Sequence, residues 1–366
     1  MRHILPILLV AAAAVPAGAQ ITINMPVPAP TPKLYVARAS IENMANARRQ
    51  SDLTIIRDTI DIPADGAITL PVPADAPYRY KIAFDETNGA EFYTAPGDTL
   101  LVKFTQFSPV RFTVTGSPLM DGISEIQTAA LPIETIAAEI QEGKRPQTEM
   151  KGLFEQFIKV FTDYIEKNPA SPAAVYAMMD LDPDNFEKYQ AKVNPTASQS
   201  ILYPLYVEKQ KQVASQLEAD RKREQMAADH VEAPDFSLPD LAGKNVSLKD
   251  FRGKWVILDF WGSWCGWCIK GFPDLKAAYA KYKPELEVIG IDCQETPEHW
   301  KAGVKRHELP WVHVYLDQEK AKTLLPQYGV QGFPTKVIIN PEGKIMSIVS
   351  GEDPEFYTTL AALMGK

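Results

Sequence analysis

Cys265 and Cys268 stand two residues apart where a continuous apolar run, Trp255–Trp261, gives way to a helical pattern reaching about Tyr282. No other feature narrows the possible folds so far, because it sets two thiols on the first turn of a helix just after a buried strand. The chain has one further cysteine, Cys293, and none among its first 264 residues. Three cysteines in 366 residues exclude a disulfide-stapled scaffold. All six tryptophans also fall between Trp255 and Trp311, so any chemistry is expected there. The net charge of −8 offers no basic field to nucleic acid or to an anionic membrane surface. With 45% hydrophobic and 23% charged residues the chain is ordinary globular material.

The spacing of the pair carries the chemistry. The first sulfur lies at the positive end of the helix dipole, which is expected to lower its pKa from about 8.5 toward about 7 and make Cys265 a thiolate nucleophile. Cys268, one turn in, can resolve a mixed disulfide. A zinc site needs two further ligands at similar spacing, and the sequence has no second C-x-x-C and no H-x-x-x-H. The dithiol itself is the redox group, so no metal and no dissociable cofactor is implied. His299, His307 and His313 are not spaced as ligands and are expected at the surface or in packing.

Arg2 and His3 precede an apolar run from Ile4 to Val15 and the segment Ala17-Gly18-Ala19, the pattern of a signal peptide (1–19) cut after Ala19. About twelve apolar residues broken by Pro6 fall short of the roughly 20 that span a bilayer. No stable membrane insertion is expected, and a periplasmic location follows. From Leu53 to about Ser117 short strands alternate with Asp65-Gly66, Asn88-Gly89 and Pro96-Gly97 turns, which predicts an antiparallel, sandwich-like β domain (20–118). A helical segment (119–231) follows. Phe154, Phe157, Ile158, Phe161, Tyr164 and Ile165 recur at helical spacing and are expected in a core, and a second helix spans about Glu208–His230. Ala233-Pro234 marks a boundary. Beyond it apolar strands alternate with helices, which predicts a mostly parallel sheet covered on both faces (232–366). The fold class is therefore α+β multidomain, with a C-terminal α/β domain.

The run Asp259-Phe260-Trp261-Gly262-Ser263-Trp264-Cys265-Gly266-Trp267-Cys268 resembles the active-site segment of the thioredoxin superfamily. Pro273 matches the kink proline of its helix, and Gly332-Phe333-Pro334-Thr335 its cis-proline loop. The lead-in Ala233-Pro234-Asp235-Phe236-Ser237-Leu238, with Val246-Ser247-Leu248 and Gly253-Lys254, is similar to the extracytoplasmic TlpA/ResA-like branch. The region upstream resembles the N-terminal β domains that accompany such modules in Bacteroidota proteins. The resemblance implies a thioredoxin fold over about residues 233–366. It makes Pro334 cis, in a loop that faces the dithiol and offers backbone hydrogen bonds to a peptide, with Phe333 touching the substrate.

Asp259, six residues before Cys265 in an apolar strand, is expected beneath the dithiol, where burial raises its pKa and suits it to take the Cys268 proton. The bland alternative is a strand-edge Asp bonded to backbone. Thioredoxin has a lysine near this carboxylate, but the aligned position here is Gly290, so a different environment is expected. Trp264 and Trp267 flank the nucleophile as an apolar docking surface, with packing an equal alternative for Trp264. Glu295 aligns with a glutamate near the dithiol of ResA-like proteins, which implies an acid–base role. Cys293 ends the second strand on the same sheet edge; it is a third exchanging thiol or, more simply, a small hydrophobe.

The dipeptide between the cysteines, Gly266-Trp267, lacks the proline of thioredoxin and the histidine of strong oxidants, so a reducing couple is expected. The sequence thus reads as an extracytoplasmic thiol:disulfide oxidoreductase acting on protein disulfides and dithiols. Its electrons would come from a membrane-embedded reductase. The alternative is a redox-sensitive binding protein whose N-terminal region captures an envelope ligand.

Overall fold

The structure, a computed structural model, describes residues 18–85, 89–353 and 355–365. The greater part of the expected signal peptide, Asn88 of its predicted turn, and Pro354 before the last helix lie outside the described residues. The chain divides into two compact units, one up to Ala214 and one from Ser215.

The first unit opens with β1 (Gln20–Asn24), β2 (Lys33–Ser40), α1 (Ile41–Asn46), β3 (Ile56–Asp61), β4 (Ala67–Pro71), β5 (Tyr78–Ala83), β6 (Gly89–Thr94), β7 (Thr99–Phe107) and β8 (Val110–Thr115). They form two four-stranded sheets, ordered β4-β1-β7-β8 and β3-β2-β5-β6. Burial follows the two-residue period of a strand: Leu100, Val102 and Phe104 of β7 point inward while Thr99, Leu101 and Lys103 do not. The pairings are antiparallel as expected except one. β1 inserts parallel to β7, with Ile21 opposite Leu100, a distant contact that no local turn announces.

Five helices follow: α2 (Pro118–Gln141), α3 (Met150–Lys167), α4 (Pro172–Met179), α5 (Pro183–Ala197) and α6 (Tyr203–Ala228). Three of them begin with a proline whose preceding Ser117, Ser171 or Asp182 accepts a hydrogen bond from a first-turn N–H. The proline has no N–H to leave orphaned, and its fixed φ already suits the helix. The aromatic stripe of α3 is core at Phe161, Tyr164 and Ile165, but Phe154, expected there, stands exposed. The division between the units falls inside α6.

The second unit continues with β9 (Ser237–Pro239), β10 (Asn245–Ser247), β11 (Trp255–Trp261), α7 (Gly266–Tyr282), β12 (Leu286–Asp292), α8 (Pro297–Arg306), β13 (Val312–Tyr315), α9 (Gln318–Gln327), β14 (Thr335–Ile339), β15 (Ile345–Ser350) and α10 (Glu355–Leu363). Its five-stranded sheet has the order β13-β12-β11-β14-β15. β13, β12 and β11 run parallel, whereas β14 and β15 are antiparallel additions, so the expected mostly parallel sheet is evenly mixed. The tight turn at Asn340–Gly343 forces β15 back along β14. This is a thioredoxin fold, and with the β-rich first unit it gives the expected fold class.

The sheet separates two apolar clusters. Val256, Leu258 and Phe260 of β11 face one, with Ile289, Ile291 and Cys293. Ile257 and Trp261 face the other, with Cys265, Cys268, Phe272, Ile338 and Phe356. Alternation along β11 puts Asp259 on this second, dithiol-bearing face.

Candidate active site

The end of β11 and the start of α7 hold the two cysteines. Cys265 is the N-cap of α7, and its sulfur accepts a hydrogen bond from the Cys268 N–H at 3.1 Å. The pair is joined as a disulfide with Cα atoms 5.3 Å apart. A thiolate released at Cys265 would face the unpaired N–H groups of the first turn, the place in a helix that most favours negative charge. Cys265 keeps 6% of its surface exposed and Cys268 2%, so a partner can reach the first sulfur before the second. Pro273 lies inside α7, as its match to the kink proline implies.

Asp259 is buried, and its Oδ1 has no hydrogen-bond partner. An inward position in β11 filled by an apolar side chain contributes about 1.5–3 kcal/mol of burial. Asp259 forgoes that gain and adds a desolvation cost, so packing alone does not account for it. Burial raises its pKa to about 6; Lys336 pulls it down, and Glu352 pushes it up. Both neighbours escaped the sequence reading. Lys336 sits directly opposite Asp259 in the β11–β14 ladder and is itself buried, paired with Glu352. The environment does differ from that of thioredoxin, as position 290 led us to expect: a cation is present, but it comes from β14. On the β12 side, Gly290 leaves room filled by the imidazole of His313. His313 is buried, which lowers its pKa to about 4 and keeps it neutral, in packing against Trp261 and Trp311.

A second acidic pair braces the loop before the cysteines. Glu295 accepts from the Ser263 backbone N–H at 2.5 Å and from its hydroxyl. Burial works to raise Glu295, but the adjoining Asp292 and the hydrogen bonds from Ser263 outweigh it and hold the carboxyl below its ordinary value. Asp292 is fully buried; burial first, then the adjoining Glu295 carboxylate, raises its pKa to about 9. Glu295 thus binds the loop two residues before Cys265 rather than the dithiol itself.

Trp264 donates its indole N–H to the Cys293 carbonyl at 3.1 Å and meets Phe333 edge-on at 5.6 Å. It is 52% exposed and Trp267 63%, so both indoles are open beside a nearly closed disulfide. Lys270 stacks over the Trp267 ring at 4.8 Å. The Phe333–Pro334 peptide is cis, and the Pro334 carbonyl accepts from the Gly351 N–H at 2.7 Å. Cys293 brings only its main chain to this edge. Its thiol lies in the cluster on the far face of the sheet, and burial pushes its pKa well up. The small-hydrophobe reading is the one its position supports. Among the described residues no group of three or more His, Cys, Asp or Glu side chains could hold a metal ion.

Known proteins fit this geometry. A family model described as AhpC/TSA family matches residues 229–348. The thiol-disulfide oxidoreductase ResA of Bacillus thuringiensis subsp. konkukian is 41% identical over 122 residues, which covers 33% of this chain and 69% of that protein. ResA of Bacillus anthracis is 38% identical over 135 residues, covering 37% and 75%. The chain belongs to the ResA family of thiol-disulfide oxidoreductases. Among solved structures, the thioredoxin domain of a thiol-disulfide oxidoreductase from Bacteroides vulgatus is 33% identical, covering 37% of this chain and 96% of that one, with a TM-score of 0.35. The two ResA alignments cover about a third of the chain, and the family model's residues 229–348 lie within the unit from Ser215. No described helix is long and apolar enough to cross a membrane.

Proposed function

We propose that the protein is an extracytoplasmic disulfide reductase in which Cys265 and Cys268 exchange with disulfides of other proteins. The observation that carries this reading is the Cys265–Cys268 pair at the N-cap of α7, on the sheet face that also holds the buried Asp259 carboxylate. Cys265 thiolate attacks a substrate disulfide, forming one S–S bond and expelling a substrate thiolate. Cys268 gives its proton to Asp259 and attacks the Cys265 sulfur. The intramolecular disulfide forms, and the second substrate thiolate leaves. Substrate gains two electrons and the dithiol loses two, so the reaction needs no further redox group.

Trp264, Trp267 and Phe333 offer an apolar rim for an extended peptide, with the cis-Pro334 loop supplying main-chain contacts. The signal-peptide pattern at residues 1–19 supports export to the periplasm, and re-reduction there calls for a membrane-embedded electron donor. Residues 20–118 and 119–231 would then be accessory modules, and 232–366 the catalytic one.

Insulin reduction by wild type and by Cys265→Ser tests the assignment. Loss of turnover in the variant is expected, and equal activity in both overturns it. A redox titration tests the direction. A potential of roughly −200 to −270 mV fits a reductase, and one near about −120 mV, as in a strong oxidant, overturns it.

A further inference from the structure

A buried lysine ion-paired with one carboxylate faces a second across the strand ladder, on the dithiol-bearing side of the sheet, and the reductase reading makes no use of it. Lys336 stands directly opposite Asp259 across the β11–β14 ladder, where facing Cβ atoms are about 4.5–5.5 Å apart on one face. Its ammonium bonds to Glu352, which lies between β15 and α10. Lys336 is 3% exposed and Asp259 2%, while the Glu352 side chain keeps 17% and so is the member that meets solvent. Glu352 reaches the dithiol helix through a gap in it. Gly271 has no side chain, and a Cβ built there would collide with the Glu352 carboxylate. Gly271 is three residues past Cys268 in α7, on the same helix face.

Fold stability does not explain the arrangement. Buried ion pairs are commonly no better than apolar side chains of the same volume, and the neighbouring Val337, Ile338 and Ile339 are all apolar and buried. We propose that Lys336 and Glu352 are positioning residues for proton transfer at the dithiol, the ammonium that Glu352 binds also facing Asp259, so that Glu352 governs how readily Asp259 takes the Cys268 proton. The ammonium favours ionised Asp259, and Glu352 withdraws part of that support. Of the other titratable groups, Tyr357 of α10 is acted on by Asp259, Glu352 and Asp274 of α7, neutral His313 lies beyond Gly290, Cys268 belongs to the cluster on Asp259's face of the sheet, and the Cys293 thiol, on the far face, is raised in part by Asp259. In the resolving step the proton passes from Cys268 sulfur to the Asp259 carboxylate. The thiolate then bonds to Cys265 sulfur, and the substrate sulfur leaves with the electron pair and is protonated by water.

This step rests on the reductase reading, but its electrostatic basis can be measured without turnover. The experiment is an NMR titration of the Asp259 carboxyl in the oxidised full chain, for wild type, Glu352→Gln and Lys336→Met. The expected result is a pair of opposite shifts of about one pH unit, down in Glu352→Gln and up in Lys336→Met. Shifts in the same direction, or none, overturn the triad. If Lys336→Met fails to fold because it strands Glu352, the Lys336→Met/Glu352→Gln double variant replaces it. Its midpoint should lie above that of Glu352→Gln, and an equal midpoint overturns the proposal. The pH profile of mixed-disulfide resolution with a small aromatic disulfide should move with the NMR midpoints. NMR shifts in a protein that reduces no disulfide would uphold the triad and overturn the reductase reading. Unmoved midpoints in an active reductase would do the reverse.

Discussion

Up to Ala214 the buried polar side chains among the described residues are all hydroxyls, Thr94, Ser117, Ser124, Thr162 and Ser200, whereas from Ser215 they are Arg223, Asp259, Asp292, His313, Thr335 and Lys336. Both units are built on sheets with apolar interiors, so sheet formation does not require the second set. Of the hydroxyls, all but that of Thr94 bond to main-chain groups. Ser124 accepts from the Val114 N–H at 3.1 Å and donates to its carbonyl at 2.7 Å, and Ser117 caps α2. A hydroxyl paired in this way costs little to bury. Carboxylates and an ammonium cost far more. Of the ionisable set, Asp259, Lys336 and Asp292 all belong to strands that end at the dithiol loop or pair with one that does. Buried ionisable groups thus mark the unit with chemistry, and buried hydroxyls the unit with architecture.

The sharpest break of that contrast would come from Asp259→Asn. General-base assistance is worth about 10²–10⁴-fold, and we expect a loss of roughly 100-fold in the rate of mixed-disulfide resolution at neutral pH. In wild type the rate should climb as pH rises through about 6, and the variant should lack that limb. Stability should move the other way. The folded-state pKa is raised, so the stability tied to protonated Asp259 is present at low pH and lost as pH rises from about 4 to about 6. Above that window the asparagine protein should melt no lower than wild type. Scanning calorimetry beside stopped-flow kinetics checks both halves. A variant that loses stability and keeps its rate would make Asp259 an architectural residue.

Asp292→Asn should give the next largest effect, and in stability rather than rate. The folded protein holds a proton on Asp292 up to about pH 9, while the unfolded chain releases it near 4. Wild-type stability should therefore fall as pH rises across that window. Glu295 acts with the opposite sign, since its folded pKa is lowered, but only at the acid end. Asparagine cannot ionise, so the variant should have a melting temperature higher by several degrees at pH 8 (about 2–4 °C per kcal/mol) and equal to wild type near pH 4. Parallel melting curves at the two pH values would remove Asp292 from the ionisable set that the comparison rests on.

Ser124→Ala probes the hydroxyl side. It strands the N–H and C=O of Val114 in a buried place, and we expect a loss of about 1–3 kcal/mol. The redox potential and the exchange rate should not change. A shift in either would mean that the first unit contributes to the chemistry.

How much of this was legible depended on whether a feature is local. Six strands from Ile56 to Thr115 carry their own alternation and turns, and the two cysteines carry their own spacing. α2, α4 and α5 were also announced, by Ser117-Pro118, Ser171-Pro172 and Asp182-Pro183, but their apolar stripes are too irregular to stand out by period alone. Lys336 left a trace as the one charge in the buried run Thr335–Ile339. Its meaning lay in the register that sets it across from Asp259. Glu352 left none. It looks like a loop residue after Gly351, and only the fold brings its carboxylate into the gap at Gly271. β1 was missed for the same reason, because its partner β7 lies some 80 residues away and runs parallel. Cys293 shows the limit of edge arguments. The strand end fixes where its backbone lies, but strand parity decides which face receives the thiol.

The smallest expected effect belongs to Trp267→Ala. The indole is 63% exposed, with Lys270 over its ring, so its removal should change the melting temperature by no more than about a degree, as is usual for surface sites. It adds nothing to the proton chemistry, which lies beneath the disulfide. A partner peptide that covers the ring would lose part of an aromatic burial worth about 1.5–3 kcal/mol, or roughly ten-fold in KM when the contact is partial. The exchange rate with a small disulfide, which is too short to reach the ring, should be unchanged. Measuring insulin reduction and a small-disulfide exchange side by side separates docking from chemistry. If both rates fall together, Trp267 acts on the thiols rather than on the partner, and the line between the charged interior and its apolar rim must be redrawn.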